Sequence, residues 1–397
     1  MTVILILSGC SRKPALQSPF VLAKQHPHNA ALIVPLHGPY AATGKAIRNG
    51  FLTAYYYSIK HGQPDTSIQI IDSSSQDIVT LYNKTAQGGA NFIVGPLLKQ
   101  NLQKLINQGD FPVPTLALNT VDDFNNYKFS NLYQFGLFSA DEAAQTAAAA
   151  WQKHKGQALI IAPDNPWGKN LATIYDNTWQ SFGGKVSSVL LYNPAKNLKT
   201  QIRDTLNINA SWRNAYTLKH ILNEKFKFTP RRRKDIDVIL LITLPNQARQ
   251  FKPLLNFYYA GNLPVYTTSS IYSGTKNLVN NQDLDGIVFC DMPWVLEQDS
   301  DLPAMLPDLK AQIIELWPES YKRYSRLYAL GIDAYYLMLN LKTLLTNPHT
   351  GIAGATGIFY IDQYQHIYRQ LMWAKMQNGK PQLIKTQVGT NIRTNSL

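Results

Sequence analysis

The sequence contains only two cysteines, Cys10 and Cys290, among its 397 residues. Two cysteines cannot build the disulfide framework of a small secreted domain or a cysteine-rich zinc module. Charged residues are also scarce, at 16% of the chain, and beyond residue 10 no apolar run reaches the roughly 18 residues that cross a bilayer. Because 45% of the residues are hydrophobic and the length suits two domains, we expect a globular chain with large cores.

Motifs of the common enzyme classes are absent from the sequence. The eight histidines form no pair at the i,i+4 spacing of a helical metal site, and neither H-E-x-x-H nor C-x-x-C occurs. There is no G-x-S-x-G nucleophile elbow, no Walker loop and no G-x-G-x-x-G fingerprint. The sequence therefore predicts no catalytic residue, no metal site and no cofactor.

The N-terminus has the features of an exported lipoprotein. Residues 1–7 form a short apolar segment, which Ser8, Gly9 and Cys10 follow directly. Small residues before a cysteine resemble a lipobox, in which the Cys10 thiol would carry diacylglycerol, and Ser11 favours passage to the outer membrane. We interpret residues 1–10 as the signal segment, Cys10 as the lipid anchor and residues 11–28 as a polar tether. The alternative is a chance apolar start with an inert cysteine.

From Asn29 onward, short β-rich runs alternate with stretches of helical periodicity. This alternation predicts right-handed βαβ units and parallel sheets, and it restarts near residue 139. The predicted fold is therefore α/β with two lobes that face one cleft, each a mostly parallel sheet flanked by helices. The predicted divisions are 29–138 plus 294–352 for lobe one, 139–293 plus 353–385 for lobe two, and a loose tail at 386–397.

Small polar or aromatic residues follow several predicted strands. Ligands of parallel α/β sheets bind at the carboxyl ends of the strands, so these residues are candidates for the cleft. Each of them can equally cap a helix or close a turn, and the sequence leaves open whether any small molecule binds. The candidate cleft residues are Gly38, Tyr40, Ser73, Ser74, Gly95, Asn119, Trp167 and Trp294.

A basic segment carries much of the formal net charge of +13. Between Arg203 and Lys234, nine Lys or Arg residues stand against two acidic residues, a net charge of +7. The segment ends in Arg231, Arg232, Arg233 and Lys234, which predict a surface for an acidic partner or an anionic lipid. The alternative is a solvated helix face followed by a hydrophilic turn. An exported, lipidated protein is not expected to bind nucleic acid.

Motifs along nearly the whole of residues 29–385 resemble one family. The segment from Leu32 to Leu52 is similar to the opening of type I periplasmic-binding-protein domains. More narrowly, the chain resembles the C-terminal domain of the penicillin-binding protein activator lipoproteins, the LpoA family, as a short form without their N-terminal helical-repeat domain. The matching motifs follow in collinear order and include residues 94–97, 133–136, 166–168, 230–233, 264–269, 283–286, 289–294 and 326–335.

The resemblance implies a two-lobed, type I periplasmic-binding-protein-like fold on an outer-membrane lipoprotein that faces the periplasm. It also implies a non-catalytic role, in which the protein binds a class A bifunctional penicillin-binding protein and stimulates its transpeptidase activity. The alternative hypothesis is a solute-binding lipoprotein of an amino-acid-type ABC transporter. A cell-wall hydrolase or amidase is a third hypothesis, because a cleft can assemble a site that no linear motif reveals.

Overall fold

The computed structural model describes residues 26–62, 66–121, 129–223, 226–274, 281–296 and 302–384. The chain divides into two compact units. The first contains the described residues up to Gly136 together with Leu330–Gln370, and the second contains Leu137–Ala329 together with the described residues from Leu371. The predicted signal segment 1–10, the tail 386–397 and all but three residues of the tether 11–28 lie outside the described residues.

The first unit is built on an eight-stranded, mostly parallel sheet. Numbered along the whole chain, its strands are β1 (Asn29–Val34), β2 (Ser67–Asp72), β3 (Phe92–Val94), β4 (Thr115–Ala117), β5 (Leu132–Phe135), β11 (Ile352–Ala353), β12 (Ile358–Ile361) and β13 (His366–Gln370). Their order in the sheet is β11-β12-β13-β5-β4-β3-β1-β2, in which β1 to β5 and β13 pair in parallel, whereas β11, β12 and β13 pair antiparallel with one another.

Helices pack on this sheet because its strands are apolar on both faces, as parallel strands require. One face carries α2 (Ile78–Gln87) and α3 (Lys99–Gln108), whose buried side chains share a core with alternate residues of β1, β3 and β4. Asp77 begins α2, because its carboxylate accepts the N–H groups of Val79 and Thr80 at 3.1 Å each. The unit also contains α1 (Ala41–Lys60) and the part of α11 (Pro318–Thr346) that follows Ala329.

The second unit is built on a seven-stranded sheet of order β15-β14-β10-β9-β8-β6-β7. Strands β6 to β10 pair in parallel, and β14 and β15 form an antiparallel edge. The strands are β6 (Gln157–Pro163), β7 (Lys185–Tyr192), β8 (Val238–Leu241), β9 (Val265–Thr267), β10 (Ile287–Asp291), β14 (Met372–Gln377) and β15 (Lys380–Leu383). The helices are α4 (Ser139–Lys153), α5 (Pro166–Ser181), α6 (Leu198–Thr205), α7 (Ile208–Leu222), α8 (Pro245–Phe257), α9 (Pro293–Leu296), α10 (Leu306–Leu316) and the first part of α11.

Successive residues of the central strands of this sheet point to opposite faces and enter two separate cores. Leu159 and Ile161 join a core with α8, whereas Ala158 and Ile160 join a core with α4 and α5. The second core explains the alanine-rich sequence of α4, because small side chains let the helix lie close to the sheet.

The predicted fold class is confirmed, but the chain crosses between units at other points than the sequence predicted. Residues 353–370, assigned by prediction to lobe two, lie in the first unit because β13 pairs in parallel with β5. The described part of residues 294–329, assigned by prediction to lobe one, lies in the second unit. The start of α11 is held in the second unit because Arg326 pairs with Asp291 at the end of β10, and because the Trp294 indole N–H donates to the Ser325 hydroxyl.

A buried carboxylate joins α11 to the antiparallel part of the first sheet. Asp333 is 2% exposed, and its two oxygens accept the N–H groups of Ala355 at 2.8 Å and Thr356 at 2.6 Å. Burial raises the pKa of Asp333 to about 6, against the opposing effect of these hydrogen bonds and of Arg369. Arg369 is itself buried and donates to the carbonyl oxygens of Gly136 at 3.0 Å and Thr356 at 3.2 Å.

A glycine permits the close packing of α11 on α1 within the first unit. A Cβ atom at Gly331 would lie 2.1 Å from the carbonyl oxygen of Ile47 and 2.9 Å from the backbone nitrogen of Phe51. Four residues further along α11, Tyr335 packs edge-on against Phe51 with ring centroids 5.3 Å apart. The contact therefore requires that no side chain be present at residue 331.

We expect Gly331→Ala to destabilise the protein, because the added methyl group meets backbone atoms that cannot rotate away. Overpacking of this kind costs about 1–3 kcal/mol, more than alanine gains over glycine in a helix. Chemical denaturation monitored by circular dichroism measures the change, with Lys322→Ala on the exposed side of α11 as the control. A Gly331→Ala variant as stable as the wild type would show that the two helices can move apart at no cost.

Candidate functional site

A compact polar network occupies the carboxyl ends of β1 and β2. The Asp72 carboxylate accepts the Leu36 N–H at 2.8 Å, the Ser74 N–H at 3.0 Å and the Ser74 hydroxyl at 2.5 Å, and it contacts the His37 ring. The Ser74 hydroxyl in turn accepts the N–H groups of Leu36 and His37 at 3.0 Å each. The network fixes the turn that leads from β1 into α1.

This network stabilises the ionised form of the Asp72 carboxyl. Its partial burial would raise its pKa, but the hydrogen bonds from Ser74, His37 and Leu36 outweigh burial and hold the pKa well below its usual range. A serine, a histidine and an aspartate lie together here, yet both the serine and the histidine contact the aspartate. Nucleophilic catalysis needs the serine hydroxyl to donate to the histidine, and the Ser74 hydroxyl is instead bonded within the turn.

The other candidate residues of the first unit lie in the loops that follow its parallel strands. Gly38 has φ +71° and starts a 3-10 turn that leaves Tyr40 49% exposed. Gly95 has no room for a side chain, since a Cβ atom would lie 2.2 Å from the carbonyl oxygen of Ile33. Asn119 donates to the carbonyl oxygen of Leu97 at 2.8 Å. Ser73 is buried, and its hydroxyl has no hydrogen-bond partner among the described residues.

The two tryptophans predicted for the cleft have different environments in the second unit. Trp167 is half-buried and packs against the core of α4 and α5. Trp294 is 1% exposed, its indole N–H donates to the Ser325 hydroxyl at 3.1 Å, and the Lys310 ammonium lies 5.5 Å from its ring centroid. The assignment of Trp294 to a ligand-facing surface was therefore wrong, because its hydrogen bond and apolar contacts place the ring inside the unit.

An ion pair beside Trp294 was not predicted from the sequence. Asp291 ends β10 with its side chain fully buried, and its two oxygens accept the guanidinium of Arg326, the Nε bond measuring 3.1 Å. Burial alone would lower the pKa of Arg326, but the charge of Asp291 more than offsets this and raises it. Arg326 also donates to the Tyr272 carbonyl oxygen at 2.9 Å. A buried aspartate at a strand end is itself a signal for such a partner.

Further polar residues at the strand ends of this sheet are bonded to one another. Glu142 in the first turn of α4 is buried and accepts the Ser269 hydroxyl at 2.6 Å and the Ser269 N–H at 3.2 Å. Tyr192 contacts the Thr243 hydroxyl and the Gln247 side chain at 3.0 Å each. Tyr192 and Gln247 also line a groove of about 510 Å³, together with Pro194, Lys196, Asn197, Leu198, Lys199, Gln250, Pro253 and Leu254.

The predicted basic surface divides into exposed and internally bonded side chains. Arg231 and Lys234 are exposed. The guanidinium of Arg232 donates to the carbonyl oxygen of Arg233 at 2.8 Å, whereas Arg233 pairs with both oxygens of Asp235. That pairing raises the pKa of Arg233 above its ordinary value. Only Arg231 and Lys234 of the four therefore present their charge fully to solvent.

Cys290 lies in β10 and is fully buried, whereas Cys10, the predicted lipid anchor, lies outside the described residues. Among the residues that the structure describes, histidines, cysteines and carboxylates do not gather in threes that could hold a metal ion. Within the same ranges, no helix combines the length and apolar composition that crossing a bilayer requires.

The fold and its strand-end loops define the class: a two-lobed, type I periplasmic-binding-protein-like protein. Among solved structures, the C-domain of LpoA (YraM) from Haemophilus influenzae, "a regulator of PBP1A", matches with a TM-score of 0.69 and 23% identity over 90% of this chain and all of that one. A structure from Rhodospirillum rubrum, described as "a putative branched-chain amino acid ABC transporter", matches with a TM-score of 0.69 and 17% identity over 90% of this chain and 99% of that one. Both likenesses concern the fold.

The chain belongs to the LppC putative lipoprotein family, whose model matches residues 12–379. The penicillin-binding protein activator LpoA of Vibrio cholerae serotype O1 is 27% identical over 356 residues, which are 88% of this chain and 57% of that protein. The chain thus spans little more than half the length of such relatives. The family resemblance of the sequence motifs is confirmed.

We expect Asp72→Asn to lower the free energy of unfolding at neutral pH, since an amide cannot replace a carboxylate that accepts several hydrogen bonds. The folded pKa of Asp72 lies below the unfolded value of about 3.9. Its contribution is therefore complete above that value and is lost as the pH falls further. Denaturation at a series of pH values should show the gap from wild type closing below about pH 4. Asp283→Asn, at an exposed carboxylate, is the control; a pH-independent gap would contradict the assignment.

Removal of the Arg326 guanidinium leaves the buried Asp291 carboxylate without its cation. We expect Arg326→Met to cost about 3–5 kcal/mol of stability, and the double variant Asp291→Asn/Arg326→Met to cost less than the single one. Lys322→Met, which removes the exposed pair with Glu319 one turn earlier on α11, should cost under about 1 kcal/mol. Additive effects of the two substitutions in a double-mutant cycle would show that the pair does not couple.

Proposed function

We propose that the protein is a non-catalytic outer-membrane lipoprotein, anchored through Cys10 and facing the periplasm. In this proposal it binds a class A bifunctional penicillin-binding protein and stimulates its transpeptidase activity during peptidoglycan synthesis. The observation that carries the proposal is the family match over residues 12–379, together with relatives named as penicillin-binding protein activators over 88% of this chain. The lipobox pattern at residues 7–10 supports the anchor.

The bonding of the strand-end side chains supports a role in binding rather than catalysis. The Ser74 hydroxyl is bonded within its turn, Glu142 is bonded to Ser269, and Asp291 is neutralised by Arg326. A general acid, base or nucleophile must instead be able to reach a substrate atom. These carboxylates and hydroxyls hold loops and helix ends within each unit in place, which suits a protein that acts through its surface.

A protein without chemistry of its own can stimulate an enzyme through differential binding. If the synthase alternates between a less active and a more active conformation, a regulator that binds the active one more tightly raises its population. The shift equals the difference between the two binding free energies, and couplings of about 1–3 kcal/mol correspond to roughly 5- to 150-fold. This mechanism requires a binding surface on the chain and no catalytic residue.

The proposal is tested with the purified chain and purified class A synthases. We expect saturable binding in pull-down or interferometry and an increased cross-linked fraction of the peptidoglycan product in a transpeptidation assay. Turnover of muropeptides by the chain alone is measured in parallel and should be absent. No binding together with an unchanged cross-linking rate would exclude the proposed function, and muropeptide turnover would exclude the non-catalytic role.

A solute-binding lipoprotein of an amino-acid-type ABC transporter is the second candidate. It is favoured by the groove of about 510 Å³ beside Tyr192, a volume in the range of small-molecule sites. Thermal-shift measurements with amino acids and with peptidoglycan fragments distinguish the two candidates. A shift of several degrees with one amino acid would favour the transporter role, because a ligand that binds only the folded state stabilises it.

A further inference from the structure

Helix α7 begins an arm that leaves the body of the second unit, formed by the described residues between Asn207 and Arg232. The arm is closed at its base by hydrogen bonds from the Arg233 N–H to the Leu206 carbonyl oxygen and from the Arg231 N–H to the Ser211 hydroxyl, each 3.0 Å. Trp212 packs edge-on against Phe228, with ring centroids 5.1 Å apart. The returning chain therefore supports the start of the helix.

The helix is exposed over most of its length. Of its fifteen residues only Ile208 is buried, and from Trp212 to Leu222 every residue except Ala215 is exposed. Large apolar side chains are concentrated there, with exposed fractions of 54% for Trp212, 67% for Tyr216, 46% for Leu218, 73% for Ile221 and 52% for Leu222. Single exposed apolar residues are ordinary, but five on three turns of one helix mark an interaction surface.

Charge disfavours a second copy of this chain as the occupant. The segment from Arg203 to Lys234 has a net charge of +7 and the whole chain +13, so two such arms would repel each other. On α7 itself, Arg213 and Lys219 are exposed among the apolar residues. The complementary surface must therefore combine apolar contact area with acidic side chains or acidic headgroups.

The arrangement of the apolar residues favours a protein groove over a lipid surface. Trp212 and Ile221 are nine residues apart, which is two and a half helical turns, so they project from opposite sides of α7. Trp212 and Tyr216 form one row at i,i+4 spacing, and Leu218, Ile221 and Leu222 form a second row. A planar membrane surface covers only one side of an interfacial helix, so it would leave one of the two rows in water. The two walls of a groove in a protein partner can contact both rows.

We propose that α7 is a docking helix that inserts into an apolar, acid-rimmed groove of a protein partner. This inference rests on the proposed function, which makes the partner the periplasmic part of the class A synthase. Trp212 and Ile221 bind the two walls of the groove, while Arg213 and Lys219 pair with carboxylates at its rim. Tryptophan, tyrosine and arginine are the residues that most often dominate such interfaces.

Two variants of the full chain test this docking helix. Trp212→Ala/Ile221→Ala removes one anchor from each row, and Arg213→Glu/Lys219→Glu reverses the charge without loss of apolar area. The matched controls are Tyr56→Ala/Leu316→Ala, whose side chains are 63% and 61% exposed, and Lys60→Glu/Lys84→Glu, at exposed lysines of the first unit. We expect each arm variant to weaken synthase binding at least about tenfold, and each control to stay within about twofold of wild type. Circular dichroism confirms that every variant is folded.

The outcomes separate this inference from the proposed function. If wild type binds the synthase and both arm variants bind equally well, the docking helix is excluded and the proposed function stands. If wild type does not bind at all, both fail. Flotation with vesicles of phosphatidylethanolamine and phosphatidylglycerol tests the lipid surface. Wild-type flotation that the arm variants lose, with synthase binding retained, would overturn the protein groove in favour of a membrane.

Discussion

Each unit depends on a buried charge that α11 supplies. Arg326 neutralises the fully buried Asp291 at the end of β10 in the second unit, and Asp333, seven residues later, accepts two backbone N–H groups in the first. An unpaired charge at either position would lower the stability of the protein by several kcal/mol. These side chains therefore require particular charged or hydrogen-bonding partners, whereas apolar packing requires only side chains of suitable volume. Arg326 thereby holds the first part of α11 to the end of β10 in the second unit, and Asp333 holds the later part to the loop between β11 and β12 in the first.

The parallel strands could be predicted from the sequence, whereas the unit to which each late strand belongs could not. Runs such as Leu159–Ala162 are apolar on both faces, which identifies a covered parallel strand without reference to the rest of the chain. The positions of β13 and β14, on either side of Leu371, depend instead on pairing with β5 and β10, far earlier in the chain. Periodicity carries no information about such distant partners.

The candidate site shows the same division between local and distant information. Strand ends followed by Gly, Ser, Asn or Asp were correctly located, because turn chemistry is local. The sequence could not reveal that Ser74 bonds within its own turn or that Trp294 lies inside the second unit. The exposed apolar rows of α7 were not predicted either, because basic residues dominate the sequence pattern between Arg203 and Lys234. The available signal was a helical segment that contains Trp and Tyr but whose apolar residues do not form one continuous face for a core.

The burial of Cys290 has a use in following the motions of the second unit. Its thiol lies in β10, between β9 and β14, and none of its surface is exposed in the folded chain. The sulfur faces α4, 3.6 Å from the Thr146 hydroxyl, so a thiol reagent can reach it only when this core opens, and the labelling rate reports how often that happens. Cys290 is therefore a native thiol probe. Its labelling rate can be compared between the free protein and a complex without an engineered cysteine.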